Sequence, residues 1–201
     1  MLPHSQKGHT DCLKVLLEAG CDLSVPNSDG ATPAYIAAYG GHADCLKVLL
    51  EAGCDLSVPY SDGSTPAHAA AQEGHADCLK VLLESGCDLS VPDSDGYTAA
   101  HAAAQNGHTD CLKVLLEAGC DLSVPNSDGA TPAYIAAYGG HAHCLHIIIS
   151  SAGADIVSPF YGITPLQVAE RGDHSLCADM LRSATSRPTK GAQSGSKRPQ
   201  H

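Results

Sequence analysis

The side chains with the most chemical reach in this chain are ten cysteines, twelve histidines and twenty-two carboxylates. Metal ligation is the first chemistry they suggest. Structural zinc favours close pairs such as C-x2–4-C. Here Cys12/Cys21, Cys45/Cys54, Cys78/Cys87 and Cys111/Cys120 stand nine residues apart, and no C-x-x-C occurs. The one local cluster is His141, His143 and His146 around Cys144. His143 and His146 are spaced i, i+3, so they share a helix face and could hold a transition metal between them. An adventitious nickel or zinc contact is the more plausible outcome there. Catalysis is the second chemistry. No G-x-S-x-G, H-E-x-x-H or phosphate-loop string is present. An active site needs unlike groups converging in one pocket, and here the acids recur in line as like groups. The residues therefore read as no enzyme, no metal site and no cofactor.

The groups line up because the chain repeats. Asp29-Gly30, Asp62-Gly63, Asp95-Gly96 and Asp128-Gly129 recur every 33 residues, as do Gly41-His42, Gly74-His75, Gly107-His108 and Gly140-His141. Cys12, Cys45, Cys78, Cys111, Cys144 and Cys177 keep the same step. A 201-residue chain thus holds about six units. In one unit, Ser28-Asp29-Gly30 is turn chemistry. Thr32-Pro33 is an N-cap followed by proline at the first helical position. The pattern predicts a short helix over Ala34–Tyr39, closed by Gly40-Gly41, and a second over Ala43–Ala52, closed by Gly53. Cys45, Leu46, Val48, Leu49 and Leu50 give the second helix an apolar face too broad for a lone surface helix. A pair this short buries that face only against neighbouring units, so the units stack into an all-α solenoid.

Composition narrows the class. Apolar residues make up 43% and aromatics 4%, so the core is aliphatic. No apolar run approaches the roughly 20 residues of a membrane span, and Met1–Lys7 lacks the plan of a signal peptide. The expected location is intracellular, cytoplasmic or nuclear, with reduced thiols. Residues 1–179 hold all twenty-two acids and six bases, a balance of −16; residues 180–201 hold five bases and no acid, +5. An acidic array opposes direct nucleic-acid binding, which needs clustered Lys and Arg. Residues 184–201 read as a disordered basic tail, either merely solvated or steering to an anionic partner or back onto the array.

The strings Asp-Gly-x-Thr-Pro, Ala-Ala-x-x-Gly-His, Leu-Leu-Glu and Gly-Cys-Asp-Leu resemble the ankyrin repeat over about residues 4–183. The resemblance implies stacked antiparallel helix pairs with β-hairpin-like finger loops, and a concave surface of first helices and finger tips that binds other proteins. The units are a partial first repeat at 1–26, repeats at 27–59, 60–92, 93–125 and 126–159, and a capping repeat at 160–183. It also implies that Cys45-type and Cys54-type thiols are core residues, that the Gly-His histidines support the turn, and that His68 and His101 tie turns together. Several positions depart from the pattern. Where Leu-His is usual, the chain has Ala34-Tyr35, Ala67-His68, Ala100-His101, Ala133-Tyr134 and Leu166-Gln167, and Thr98-Ala99 lacks the proline. Phe160-Tyr161 replaces Ser-Asp in the last finger. Gly8-His9 aligns with Gly41-His42, so the first unit opens inside its first helix, as a fragment of a longer array or as a frayed end.

Positions that vary among units are free for recognition. Before the turn they are Asn27, Tyr60, Asp93 and Asn126; after its glycine, Ala31, Ser64, Tyr97 and Ala130. At the end of the first helix they are Tyr39, Gln72, Gln105 and Tyr138, then Gly40, Glu73, Asn106 and Gly139. These sixteen form the expected partner-binding set, with Tyr39, Tyr60, Tyr97 and Tyr138 as anchors. Neutral drift at exposed sites gives the same variation, and residues 27–43 and 126–142 are identical, which points to a recent duplication. The expected function is a monomeric protein–protein interaction module or scaffold. The alternative is a regulatory or targeting segment of a larger enzyme or channel, truncated at its N-terminus; a plain spacer is a third reading.

Overall fold

A computed structural model describes residues 4–23, 25–151 and 153–186. One helix, α1 (His4–Glu18), precedes five helix pairs: α2/α3 (Pro33–Tyr39, Ala43–Glu51), α4/α5 (Pro66–Glu73, Ala76–Glu84), α6/α7 (Ala99–Asn106, Thr109–Glu117), α8/α9 (Pro132–Tyr138, Ala142–Ser150) and α10/α11 (Pro165–Arg171, Ser175–Thr185). First helices pack on first helices and second helices on second, so the pairs stack in two layers. The basic tail at 187–201 lies outside the described residues. Helix α11 runs to Thr185, two residues past the expected end of the last unit.

Local chemistry explains the short helices. Thr32 and Thr131 cap α2 and α8, each accepting a backbone N–H three residues on, from Tyr35 and Tyr134. The inner layer is made of alanine: Ala69, Ala70, Ala71, Ala99, Ala103 and Ala104 are all buried. Such small side chains let backbones approach closely. The outer layer is packed by bulkier Leu46, Leu79, Leu112, Leu145 and Leu181, all without solvent contact. The Gly-His step locks neighbours together. Gly107 is left-handed (φ +76), and a Cβ there would meet the His141 ring of the next unit at 2.7 Å. That ring sits within hydrogen-bond distance of the Gln105 carbonyl, Nε2 to O 2.9 Å, and His108 and His174 repeat the contact with Gln72 and Tyr138.

Fingers are hairpin-like in hydrogen bonding only. The N–H of Asn27 donates to the Ala31 carbonyl and that of Gly30 to the Asn27 carbonyl. No strand forms among the described residues; a single bridge joins Phe160 and Ile163. Neighbouring fingers are joined edge to edge, Ser94 N–H to the Asp62 carbonyl and Ser127 N–H to the Asp95 carbonyl.

The junctions come in two kinds. His68 and His101 each reach the next finger, with Nε2 2.9 Å from the Tyr97 carbonyl and 3.1 Å from the Ala130 carbonyl. Those fingers open with Asp93 and Asn126, whose side-chain oxygens accept the N–H of the same Tyr97 and Ala130. Where tyrosine replaces histidine, the next finger opens with an aromatic instead. Tyr35 stacks on Tyr60 at 5.3 Å, and Tyr134 meets Phe160 edge-on at 5.0 Å. The departures at Tyr35 and Tyr134 thus exchange a hydrogen bond for an aromatic pair.

The first unit differs from its expected form. Helix α1 runs unbroken through Gly8-His9, where inner units break. It holds a second-helix place against α3, and among the described residues no first helix covers it, so Val15 and Leu16 are exposed.

Candidate partner-binding surface

The first-helix side of the stack carries a groove of about 460 Å³ across the units that start at 93, 126 and 160. The sixth-unit finger supplies Phe160 and helix α8 supplies Tyr134, Ile135 and Tyr138. Tyr97 and Gln105 close the other wall. Tyr97 also lies 5.1 Å from the His101 ring. Tyr161, at the tip of the last finger, touches Phe160 (ring centroids 4.5 Å) and is 79% exposed. Tyr138 is 68% exposed. Five of the chain's eight aromatic residues therefore meet on one side of its C-terminal half. The lining carries no charge; beside the tyrosine hydroxyls, Gln105 is its one polar side chain. Tyr161 takes a left-handed backbone (φ +47), which non-glycine residues adopt at a cost of order 1 kcal/mol. A larger cleft of about 610 Å³ lies among Leu50, Leu56, Pro59, Leu82 and Pro92. Its walls are residues copied from unit to unit, so it reflects the scaffold.

The sixteen sequence-predicted residues divide sharply. Tyr39, Gln72, Glu73, Gln105, Asn106 and Tyr138 are exposed on the first-helix side. Ala31, Ala130 and Asn126 are buried and leave the candidate surface, Ala130 remaining only as floor of the groove. Asn27 and Asp93 organise their own turns: Asn27 Oδ1 accepts from Asp29 and Ala31 N–H, and Asp93 Oδ1 from Asp95 and Tyr97 N–H. Variation between Asn and Asp there preserves an acceptor. Tyr60 and Tyr97 are half-buried in ring contacts, so they are weaker anchors than expected. Ser64 is half-buried too, its N–H held by the Asp62 carboxylate. Gly40 and Gly139 make room for the rings of His42 and His141. Tyr134, Ile135 and Phe160, which line the groove, and Tyr161, which flanks it against Phe160, stand outside the predicted set. Their signal was present: each belongs to a segment that departs from the repeat.

Thiols and histidines sort by packing. Cys45, Cys78, Cys111, Cys144 and Cys177 are buried, Cys54, Cys87 and Cys120 half-buried, and Cys12 and Cys21 exposed. The core reading therefore holds fully for one series from the second unit onward. Burial pushes the thiols of Cys78 and Cys111 up to about 12. Alkylation with iodoacetamide at neutral pH should mark Cys12 and Cys21 first, and Cys78 and Cys111 at least ~10²-fold more slowly, as their thiolate is suppressed. Peptide mass spectrometry over time reads the order; equal rates would refute the packing. His143 and His146 are exposed on α9, and no group of three metal-ligating side chains converges among the described residues.

A family model described as three copies of ankyrin repeats matches residues 4–60 and 52–126, and a single ankyrin-repeat model matches 128–159. The chain belongs to the ankyrin-repeat family. No curated protein matches it significantly. Residues 160–186 lie outside those matched stretches, yet α10 and α11 form a complete ankyrin-type helix pair. Ankyrin repeats are in general protein–protein interaction modules and are typically non-catalytic. No described helix of this ankyrin-repeat chain is long and apolar enough to cross a membrane.

Proposed function

We propose that this chain is a monomeric, non-catalytic interaction module, cytoplasmic or nuclear, that binds a protein partner through its first-helix face and finger tips. The observation that carries this reading is the contrast between its two sides. The second helices repeat one surface, with Lys47, Lys80 and Lys113 each paired to the aspartate three residues earlier. The first-helix side is varied and gathers exposed aromatic rings around a groove, the composition of interface hot spots. Exposed rings kept out of a core that is otherwise aliphatic are what a binding surface needs. Tyr39, Gln72, Glu73, Asn106, Tyr138 and Tyr161 form the contact set, with Gln105 at the centre.

Affinity capture from cell extract with the full chain and with Tyr138→Ala/Tyr161→Ala tests this. Both residues are mostly exposed, so circular dichroism should be unchanged while specifically captured proteins fall at least fivefold. An unchanged captured set would place binding elsewhere.

A further inference from the structure

We propose that the aromatic groove receives an extended partner segment that carries arginine or lysine about every third residue beside small apolar residues. This rests on the interaction reading above and names the partner's chemistry. The charge distribution is the first observation. On the second helices Lys47, Lys80 and Lys113 are matched by Asp44, Asp77 and Asp110 at 2.8–3.7 Å, and Arg182 is held by Glu170 and Asp179. The finger-tip carboxylates Asp29, Asp62, Asp95 and Asp128 enter no ion pair among the described residues. One row of the array's excess negative charge therefore runs along the finger edge, beside the groove at Asp95 and Asp128. Arg171 is the one base near the groove, acting on Tyr134 from the far end of α10. Phosphate polyanions are repelled by such an edge, and cationic segments are drawn to it.

The lining is the second observation. A neutral wall of tyrosine and phenylalanine, open at Tyr138 and flanked by the exposed Tyr161 ring against Phe160, accepts a guanidinium or ammonium over its rings and packs the aliphatic stem below. Gln105 offers one hydrogen-bonding handle. The third observation is spacing. Adjacent fingers are hydrogen-bonded to each other, so their carboxylates recur once per unit, about 8–10 Å apart for packed helices. An extended chain advances about 3.3 Å per residue, which sets cations roughly three residues apart opposite successive tips.

The probe is a fluorescein-labelled synthetic peptide, Gly-Arg-Leu-Gly-Arg-Leu-Gly-Arg, with companions in which glutamate or glutamine replaces every arginine. Anisotropy titrations with the full chain at low salt should show the arginine peptide binding at least tenfold tighter than either companion. Tyr138→Ala should weaken it at least fivefold, and Asp95→Asn/Asp128→Asn at least threefold with a shallower salt dependence. Equal binding of the three peptides, or indifference to Tyr138→Ala, overturns the proposal. So does sedimentation showing a dimer whose second copy fills the groove. If the arginine peptide fails while Tyr138→Ala/Tyr161→Ala still loses captured proteins, the partner chemistry is wrong and the interaction reading stands; if neither responds, both fall.

Discussion

Leu115→Ala lowers the unfolding free energy by about 3 kcal/mol, whereas Leu16→Ala costs less than about 1 kcal/mol. The two leucines occupy the same place in the repeat, three units apart. Leu115 on α7 has no solvent contact, enclosed by its own first helix α6 and by the outer helices on either side. Removing its methyl groups leaves a cavity that a packed stack closes poorly. Leu16 on α1 is 45% exposed, with no first helix over it among the described residues. Urea denaturation followed by circular dichroism measures both. A repeat array is stabilised by its units and by the interfaces between them. Leu115→Ala weakens the middle of the chain, so it should also broaden the transition or split it into two halves. Equal losses at the two sites would mean that burial by neighbouring units is not what stabilises a unit.

The fold was largely legible because period and pattern are properties of the chain itself. Thr-Pro starts, Gly-Gly or Gly stops and the broad Cys-Leu-Val-Leu-Leu face predict α2 to α9 within a residue or two at each end. The first unit was not legible in the same way. Gly8-His9 matches Gly41-His42 in letters, yet α1 continues through it as one helix from His4 to Glu18. The hairpin-like fingers follow the same local logic: two turn hydrogen bonds make the hairpin shape without a ladder.

The candidate surface was half legible. Internal variation picked out the ends of the first helices, where the structure leaves Tyr39 and Tyr138 exposed. It misplaced Asn27, Asp93 and Asn126, because Asn and Asp exchange freely at a turn whose only need is one acceptor oxygen. It also missed that substitutions are paired across junctions. Tyr134 belongs with Phe160 as Tyr35 belongs with Tyr60, and these pairs become visible only once neighbouring units are docked. The groove is a product of that pairing, since an aromatic finger start turns a hydrogen-bonded seam into an apolar wall.

The buried His101 should make the array acid-sensitive. Burial pushes its pKa down from 6.5 to about 4, only partly opposed by the Ala130 carbonyl and Asp93. Geometry gives the reason in atoms. The Thr98 N–H donates to Nδ1 at 3.0 Å, so Nδ1 is bare and the single ring proton sits on Nε2, facing the Ala130 carbonyl. A second proton would set N–H against N–H. The unfolded chain therefore binds more protons between about pH 6.5 and 4, and stability contributed by the neutral ring is complete above 6.5 and lost as pH falls through that window. The full loss is of order 3 kcal/mol. The last unit shows the control. There Gln167 takes the equivalent place, its Oε1 accepting the Thr164 N–H at 2.9 Å. His101→Gln should keep that cap, lose the bond to Ala130 and cost about 1 kcal/mol at pH 7.5, yet titrate away nothing. Denaturation curves for the two proteins from pH 7.5 to 4.5 should then cross near pH ~5.5, with the glutamine variant the more stable below it. Carboxylates such as Asp77 and Asp110, held low by Lys80 and Lys113, titrate alike in both proteins and cancel in the difference. Parallel curves would show that His101 is protonated in the folded chain, and that the bond pattern around Thr98 is not the one that holds this junction.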